Sequence, residues 1–297
     1  MSSFQGFSTN IISNASLRLE YLISAGPRIV RLFAFGKENL FAEISEKKST
    51  IYGDFFFRGG HRLWHSPEAT PRTYIPDNSG VTVENIPGGA ILHGSREEGT
   101  GIAKTIEFQV SPDQPKVILT HTLTNHSLWP VKLAPWTVTM FKLGGTIIVP
   151  LQTGNRDSEG LLHNRIMAIW PYTHISDPRL TLQDDCITIH ALSAPDPIKI
   201  GSYCTAGWIA YWIDGVLFKK SFDTISEALY PDGGCNTEAY CGKNFAELEA
   251  LGPTISLKEG ESTIFSERWE LFPDLDVPFL SAEIKDTLIA TTKNRIR

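Results

Sequence analysis

The chain has 297 residues, of which 41% are hydrophobic and 20% are charged, so it can bury a full core and is neither disordered nor fibrous. Its 27 lysines and arginines stand against 33 acidic residues, which gives a net charge of −6. This negative balance argues against a nucleic-acid partner, whose backbone is bound by clustered cations, and favours a small or neutral ligand.

The amino-terminal segment, MSSFQGFSTNIIS, shows no sign of export. It lacks the basic start and the continuous apolar run of a secretion signal. No later segment approaches the ~20 apolar residues that a membrane span requires. The sequence therefore predicts a cytoplasmic protein with no membrane partner.

Short alternating or β-branched segments recur along the chain, separated by Gly, Pro, Asn and Asp, which is typical of strands joined by turns. In residues 117–125, Val117, Leu119 and His121 share one face, so that face is expected to be buried. The clearest predicted strands are 16–24, 28–36, 81–86, 104–110, 117–125, 197–203, 208–213, 216–222, 253–257 and 265–272.

More than a dozen strands cannot stay in one flat sheet, so we expect an all-β sandwich of two large stacked sheets. No repeat or linker divides the sequence, which indicates a single domain over 1–297. A sandwich of this size leaves one concave face free for a ligand.

The one clear helical pattern lies at the carboxyl-terminal end. Leu280, Ile284 and Leu288 recur at i, i+4 spacing after Pro278, which predicts a short helix within 278–297 that packs on a sheet. The four cysteines are too few for a disulfide scaffold and lack CxxC spacing, so we expect mostly reduced core residues. A Cys235–Cys241 bridge would be possible if the chain were exported.

The densest group of chemically active side chains lies in FFFRGGHRLWHSPE, residues 55–68. Gly59 and Gly60 permit a tight backbone turn, so the side chains around them are displayed on a loop or a bent strand. Arginine offers forked donors to oxygen atoms, and tryptophan offers a flat face to a sugar ring, so the combination suits a polyol. Alternatively, the aromatic residues are core and the charged ones are solvated. The candidate ligand-binding residues are Arg58, His61, Arg62 and Trp64.

The same segment also allows a metal hypothesis. His61, His65 and Glu68 supply nitrogen and oxygen ligands at short spacing. Two histidines four residues apart share a face only on a helix, however, and the flanking GG and SP sequences disfavour a helix. We therefore expect no bound metal.

Two further histidines are candidates for contact with a ligand. His93 lies where a strand runs into the glycine-rich turn ILHGSREEGTG, which lacks the GxGxxG order of a nucleotide fold. It is a possible sugar ligand or a half-exposed turn residue. His126 follows the buried strand 117–125, where an imidazole could donate a proton to a ligand at neutral pH, although a lone histidine is more often structural.

Paired glutamates occur in FAELEALGP, residues 245–253. Glu247 and Glu249 are two apart, which in a strand places both on one face and Leu248 on the other. If they point inward, one of them is a plausible general base. If Leu248 points inward instead, both glutamates are solvated, and the alternation alone does not decide. Asp232 and Glu238, in the turn-rich segment before them, could also reach a ligand.

Taken in order, these motifs resemble the galactose mutarotase-like superfamily, which comprises the aldose 1-epimerases and their hexose-phosphate epimerase relatives. The similarity spans about residues 15–272. The motifs are RGG at 58–60, HG at 93–94, TNHS at 124–127, and LEA at 248–250 followed by LKEGES at 257–262.

The resemblance implies a large antiparallel supersandwich that interconverts sugar anomers by opening and closing the ring, without a metal or organic cofactor. By motif, His126 resembles the acid and Glu249 the base, while His93 and Arg58 resemble sugar-positioning residues. Leu128, Trp129 and Pro130 replace the aromatic run that ends in Asn in aldose epimerases. The segment HRLWHSPE, at 61–68, has no counterpart there, so the chain resembles a divergent branch.

Three hypotheses on function follow from the sequence. The first is an aldose 1-epimerase-type protein that acts on a sugar or sugar derivative, with His126 and Glu249 as acid and base. Its substrate-binding residues would be Arg58, His61, Arg62, Trp64, His93 and Glu247. The second is a non-catalytic carbohydrate-binding protein that uses the same face. The third is metal-assisted chemistry on a small molecule through His61, His65 and Glu68.

Overall fold

The computed structural model describes residues 2–70 and 72–275, which form strands joined by turns and no helix. The first eleven strands are β1 (Ser2–Phe4), β2 (Phe7–Ser13), β3 (Leu17–Leu22), β4 (Ile29–Ala34), β5 (Glu43–Thr50), β6 (Gly53–Ser66), β7 (Thr82–Ile86), β8 (Gly89–His93), β9 (Ile102–Val110), β10 (Lys116–Asn125) and β11 (Val131–Phe141). They are followed by β12 (Thr146–Pro150), β13 (Met167–Ile169), β14 (Leu180–Leu182), β15 (Cys186–His190), β16 (Ile198–Ser202), β17 (Trp208–Ile213), β18 (Val216–Phe222), β19 (Thr237–Cys241), β20 (Ala246–Leu251), β21 (Ile255–Leu257) and β22 (Ser262–Phe272).

These strands form two antiparallel sheets. The first sheet has twelve strands in the order β1-β2-β3-β4-β6-β11-β20-β19-β16-β13, with β5 paired to β6 and β21 paired to β11. The second sheet has ten strands in the order β14-β15-β12-β17-β18-β22-β10-β9-β8-β7. The all-β sandwich predicted from the sequence is confirmed, and its first sheet already begins at Ser2, before the region of motif similarity.

The main core lies between the two sheets and follows the predicted alternation. In β10, Val117, Leu119 and Leu123 are buried, whereas Ile118 between them is 49% exposed. Trp269 of β22 is fully buried, and its ring meets that of Phe41 edge to face, with 5.8 Å between the ring centroids. Period-two alternation therefore directs one face of each central strand into a shared apolar layer.

Strand β6 is a bent strand, one of the two alternatives that the sequence left open, and its bend is glycine-dependent. Gly59 and Gly60 have φ angles of +85° and +67°, which side-chain-bearing residues rarely adopt. A Cβ on Gly60 would lie 2.1 Å from the carbonyl oxygen of Ile29, so the neighbouring backbone also requires glycine there. Beyond the bend, residues 61–66 continue in regular pairing with β11.

The cysteine and terminal predictions have different outcomes. The four cysteines are buried and free, as expected for core residues. The predicted helix of 278–297 lies outside the described residues. Within 2–70 and 72–275, no helix is long and apolar enough to cross a membrane.

Candidate functional site

The outer face of the first sheet, which points away from the second sheet, carries a group of charged residues. Strand register aligns Arg62 with Val138, Val138 with Glu249, and Glu249 with Glu238 across four neighbouring strands. The adjacent row pairs Glu247 with a tyrosine of β19, which in turn pairs with Lys199 of β16. We call Arg62, Lys199, Glu238, Glu247 and Glu249 the outer-face cluster.

Strand β20 places two of these glutamates because both of its faces are buried. Ala246, Leu248 and Ala250 point into the core between the sheets, as one of the two sequence interpretations required. Glu247 and Glu249 nevertheless are not solvated, since they are also buried, on the opposite face. A strand covered on both sides explains why alternation alone could not decide between the interpretations.

Lys199 forms the centre of the cluster. Its ammonium lies 2.8 Å from Oε2 of Glu238 and 2.9 Å from Oε2 of Glu249. The indole of Trp136 also donates to Oε2 of Glu249, at 2.6 Å. The Lys199 ammonium further lies 4.8 Å from the ring centroid of Trp170, within cation–π range. Glu249 is thereby held in one position by a cation and a neutral donor.

Arg62 anchors the other glutamate of β20. Its guanidinium donates to Oε1 of Glu247 at 3.0 Å and also contacts the sulfur of Met140. Its charged carbon lies 3.9 Å from the ring centroid of Trp64, on the same face of β6. A planar cation held between a carboxylate and an indole presents fixed donors to a ligand oxygen.

Burial and the excess of carboxyl groups favour protonated carboxyl groups in the cluster. Three carboxyl groups face two cations, and burial raises the pKa of Glu247 to about 7, with Arg62 opposing the shift and Glu249 adding to it. Burial also raises the pKa of Glu238, against the effect of Lys199. Burial alone would lower the pKa of Lys199, but Glu249 and Glu238 outweigh it, so the ammonium persists.

Several polar atoms of the cluster have no hydrogen-bond partner. They are Oε1 of Glu238, Oε1 of Glu249 and Nε of Arg62, all buried. Buried polar atoms are nearly always paired in folded proteins, so unpaired ones concentrated in one place require an explanation. A ligand rich in hydroxyl groups could pair with all three.

Aromatic side chains surround the charged groups. The rings of Trp64 and Trp136 have centroids 5.1 Å apart, and Tyr74 packs against Trp64 at 5.4 Å. Arg62 and Trp64 line a cavity of about 210 Å³, which also borders Tyr52. Flat apolar surfaces beside fixed polar groups are suited to a molecule with one apolar and one hydroxylated side.

The structure brings together only part of the site predicted from sequence. Arg62, Trp64, Glu247 and Glu249 meet on the outer face, whereas His61 does not join them. Since His61 is one residue from Arg62, alternation sends its ring to the inner face, where Nε2 lies 2.8 Å from Nε2 of His121. His61 is therefore a core residue on the face opposite the outer-face cluster.

Arg58 and His93 also lie elsewhere. Arg58 precedes the glycine bend, and its guanidinium packs over the ring of Phe7 at 4.2 Å and donates to Asn78. His93 ends β8 in the second sheet, where its ring is exposed and lies 3.7 Å from a carboxylate oxygen of Glu84. The bend separates Arg58 from the cluster, and a different sheet separates His93 from it.

The structure does not pair His126 with Glu249 as acid and base. His126 is exposed in the turn that follows β10 of the second sheet, and its backbone amide donates to the carbonyl oxygen of Gly101. Glu249 projects from the outer face of the first sheet and is fully buried. The order of short motifs therefore names two residues that the fold keeps apart, because order along the chain does not specify which sheet or face a residue occupies.

Sequence reasoning missed four members of the site, namely Lys199, Trp136, Trp170 and Tyr240. Lys199 sits between Ile198 and Ile200 in a predicted strand, and both isoleucines are buried in the core. That pattern would place a lysine on the opposite face, where it is free to pair with acidic residues. Its partners come from β19 and β20, however, and only strand pairing identifies them.

The metal ligands suggested by the sequence do not converge. Glu68 accepts a hydrogen bond from the hydroxyl of Tyr74, while Nε2 of His65 lies 3.7 Å from Glu97. His61 faces the core instead. Along a strand, residues four apart do share a face, and both histidines lie beyond the bend, but their ring nitrogens have different partners, His121 for His61 and Glu97 for His65.

A different group, His61, His121 and Glu267, has nitrogen and oxygen atoms within 4.8 Å of one another in the core. Each member already has protein partners. Glu267 binds the ammonium of Lys220 at 3.1 Å and accepts from the indole of Trp269 at 3.0 Å. This group is thus held together by the protein's own side chains.

No family model matches the sequence, and no curated protein matches it. Among solved structures, the chain shares the galactose mutarotase-like sandwich fold. A candidate aldose 1-epimerase from Escherichia coli K12 is 12% identical, with 90% of this chain and 100% of that one covered at a TM-score of 0.57. A galactose mutarotase-like protein from Lactobacillus casei ATCC 334 is 10% identical, with 89% of this chain and 100% of that one covered at a TM-score of 0.58.

The same fold occurs within a longer protein. A TPR-domain containing protein from Parabacteroides distasonis ATCC 8503 is 12% identical, with a TM-score of 0.61. The alignment covers 97% of this chain but only 55% of that one. These similarities show that the chain has the galactose mutarotase-like fold, as the motif order had predicted.

Proposed function

We propose that this protein binds an aldose or aldose derivative on the outer face of the first sheet and interconverts its anomers. The observation that carries the proposal is the pair Glu247 and Glu249, two apart on β20, one bound to Arg62 and the other to Lys199. One carboxyl group with a pKa of about 7 beside a second carboxylate gives an acid and a base on one face. The names of the structural neighbours agree with a sugar ligand.

The chemistry needs only these two groups. Glu247, in its acid form, gives a proton to the ring oxygen while Oε1 of Glu249 takes the proton of the anomeric hydroxyl. The bond between the anomeric carbon and the ring oxygen breaks, which produces the open-chain aldehyde. Rotation about the adjacent carbon–carbon bond and the reverse proton transfers then close the ring as the other anomer.

The remaining residues would hold the sugar in place. Trp64 and Trp136 offer apolar faces to the C–H side of the ring, and Arg62 offers an unpaired Nε to a hydroxyl oxygen. Glu238, with an unpaired Oε1, can accept from another hydroxyl. Lys199 holds Glu249 in one orientation, so we regard it as a positioning residue.

A second candidate is binding without catalysis. It is favoured by the full burial of Glu249, whose Oε2 is already bound to both Lys199 and Trp136. A base that is never exposed to the sugar would contribute to stability and shape alone. We place either activity in the cytoplasm, in agreement with the four free cysteines.

Polarimetry on freshly dissolved aldoses, supported by calorimetric binding, distinguishes these candidates. We expect the wild type to accelerate mutarotation of at least one aldose. In Glu249→Gln and in Glu247→Gln, the catalysed rate should fall by about 100-fold or more. The matched control is Glu107→Gln, on the outer face of the second sheet, which should keep the wild-type rate. Sugar binding without acceleration would instead establish the non-catalytic candidate.

A further inference from the structure

A second cavity, of about 650 Å³, opens where β16 ends and β19 begins, the two strands that carry Lys199 and Glu238. Its volume lies within the range of about 300–1,000 Å³ that is usual for ligand pockets. Its walls come from three loops, those between β12 and β13, after β16, and between β18 and β19. The residues that matter most are Gln152, Arg156, Asn164, Tyr203, Glu227 and Tyr230.

The lining has the chemistry of a carbohydrate subsite. Tyr203 and Tyr230 form an aromatic pair with ring centroids 5.5 Å apart. The Tyr230 hydroxyl is held by the backbone of Ile225, whose amide donates to it at 2.9 Å. Gln152 and Asn164 add amides that can both donate and accept. Aromatic faces beside amide groups suit the C–H faces and hydroxyl groups of sugar rings.

The position of this cavity relates it to the cluster. Gly201 is the register partner of Glu238, and a Cβ on Gly201 would lie 2.7 Å from the sulfur of Cys235. Gly234, the neighbour of Cys235 in sequence, lines the cavity. The next residue of β16, Ser202, donates through its hydroxyl to the carbonyl oxygen of Ile166, another lining residue, at 2.9 Å.

The two cavities therefore lie at different strands of the first sheet. The smaller one begins at Arg62 and Trp64 of β6, and the larger one begins beside β16 and β19, which carry Lys199 and Glu238. β11 and β20 lie between them in the sheet. A single sugar ring at Glu247 and Glu249 would leave the larger cavity empty.

We propose that the substrate is an oligosaccharide, whose reducing-end ring lies at Glu247 and Glu249 and whose further rings occupy the cavity of Tyr203 and Tyr230. This inference rests on the proposed function, since it extends the same site.

Calorimetry with D-glucose, D-galactose and their α- and β-1,4-linked tetramers tests the inference. At least one tetramer should bind about tenfold or more tightly than its monomer. Tyr203→Ala should reduce the affinity for that tetramer to the monomer level while leaving the affinity for the monomer unchanged. The matched control is Phe35→Ala, which removes an exposed aromatic ring in the turn after β4 and should change neither affinity.

Two outcomes separate this inference from the proposed function. Monomers that bind as tightly as every tetramer overturn the oligosaccharide substrate but leave the sugar site intact. The absence of binding by any of these sugars contradicts the proposed function itself. Equal tetramer affinity in the wild type and in Tyr203→Ala would overturn the role of the larger cavity.

Discussion

At the residue scale, the outer-face cluster shows how burial and partner charges divide similar groups into different roles. Glu247 and Glu249 have the same chemistry and lie two residues apart, yet one faces Arg62 and the other faces Lys199 and Trp136. An ammonium and an indole N–H both bind Oε2 of Glu249 and hold this carboxyl group in one orientation. In Glu247, burial outweighs the guanidinium, so its pKa rises to about 7.

This difference predicts a pH dependence for the proposed reaction. Glu247 donates only in its acid form, so the rate of mutarotation should fall as the pH rises above about 7. Stopped-flow polarimetry between pH 5 and 9 would record this fall in rate in the wild type and in the control Glu107→Gln. Glu247→Gln should lack it, retaining a low rate throughout. A wild-type rate that stays constant from pH 6 to 9 would rule out Glu247 as the acid.

At the scale of the element, β6 determines which side chains reach the site. Its alternation beyond the bend sends Arg62 and Trp64 outward and His61 and Leu63 inward. The bend exists because two consecutive glycines adopt positive φ where neighbouring backbones approach closely. The sequence identified these glycines and the polar residues beside them, but not which side of the bend belongs to the site.

The bend should therefore be sensitive to a single added methyl group. Gly60→Ala brings a Cβ to 2.1 Å from the carbonyl oxygen of Ile29, in addition to the strain of φ +67°. Gly36→Ala, at φ +71° with nothing within 4 Å, imposes the strain alone. Urea unfolding should show that Gly60→Ala costs about 1–3 kcal/mol more than Gly36→Ala. If both variants lose the same free energy of unfolding, the backbone around β6 moves to accept the added methyl group without loss of stability.

At the scale of the whole molecule, a buried polar network joins the two sheets. Nδ1 of His121 lies 3.1 Å from the carbonyl oxygen of Phe265, so it must donate there and leave Nε2 as an acceptor. His61 then donates through Nε2, and its Nδ1 accepts from the hydroxyl of Thr139 at 2.9 Å. Both imidazoles are neutral in this arrangement, and burial lowers the pKa of each, with Lys220 adding to the effect.

The network predicts a pH-dependent contribution to stability. An unfolded histidine binds a proton near pH 6.5, whereas a buried one with a lowered pKa does not, so the contribution is present above that pH and is lost as the pH falls. Carboxyl groups of the outer-face cluster with raised pKa values have the opposite effect, because they make the folded state more stable as the pH falls. The contribution of the histidines is therefore measured as a difference between the wild type and a variant. Between pH 5.5 and 7.5, the stability advantage of the wild type over His121→Gln should grow by about 1 kcal/mol.

Urea unfolding at both pH values measures this difference. The control is His126→Gln, which removes an exposed imidazole and should give the same stability difference from the wild type at both values. If the advantage over His121→Gln is independent of pH, the His61–His121 pair does not carry the expected linkage.

The sequence by itself determined the architecture, because period-two alternation and glycine-rich turns are local signals that survive without knowledge of the partner strand. It also indicated Arg62, Trp64, Glu247 and Glu249 as chemically active residues. Only the tertiary structure decided which of the candidates meet, since strand register joins residues as distant as Arg62 and Glu247 and selects one face of each strand. The motif order placed His126 and His93 at the site, but His93 ends β8 of the second sheet and His126 lies in the turn after β10 of that sheet. The charges that act on the pKa of Glu247 come from residues on three separate strands, β6, β16 and β20, and no local sequence pattern brings these residues together.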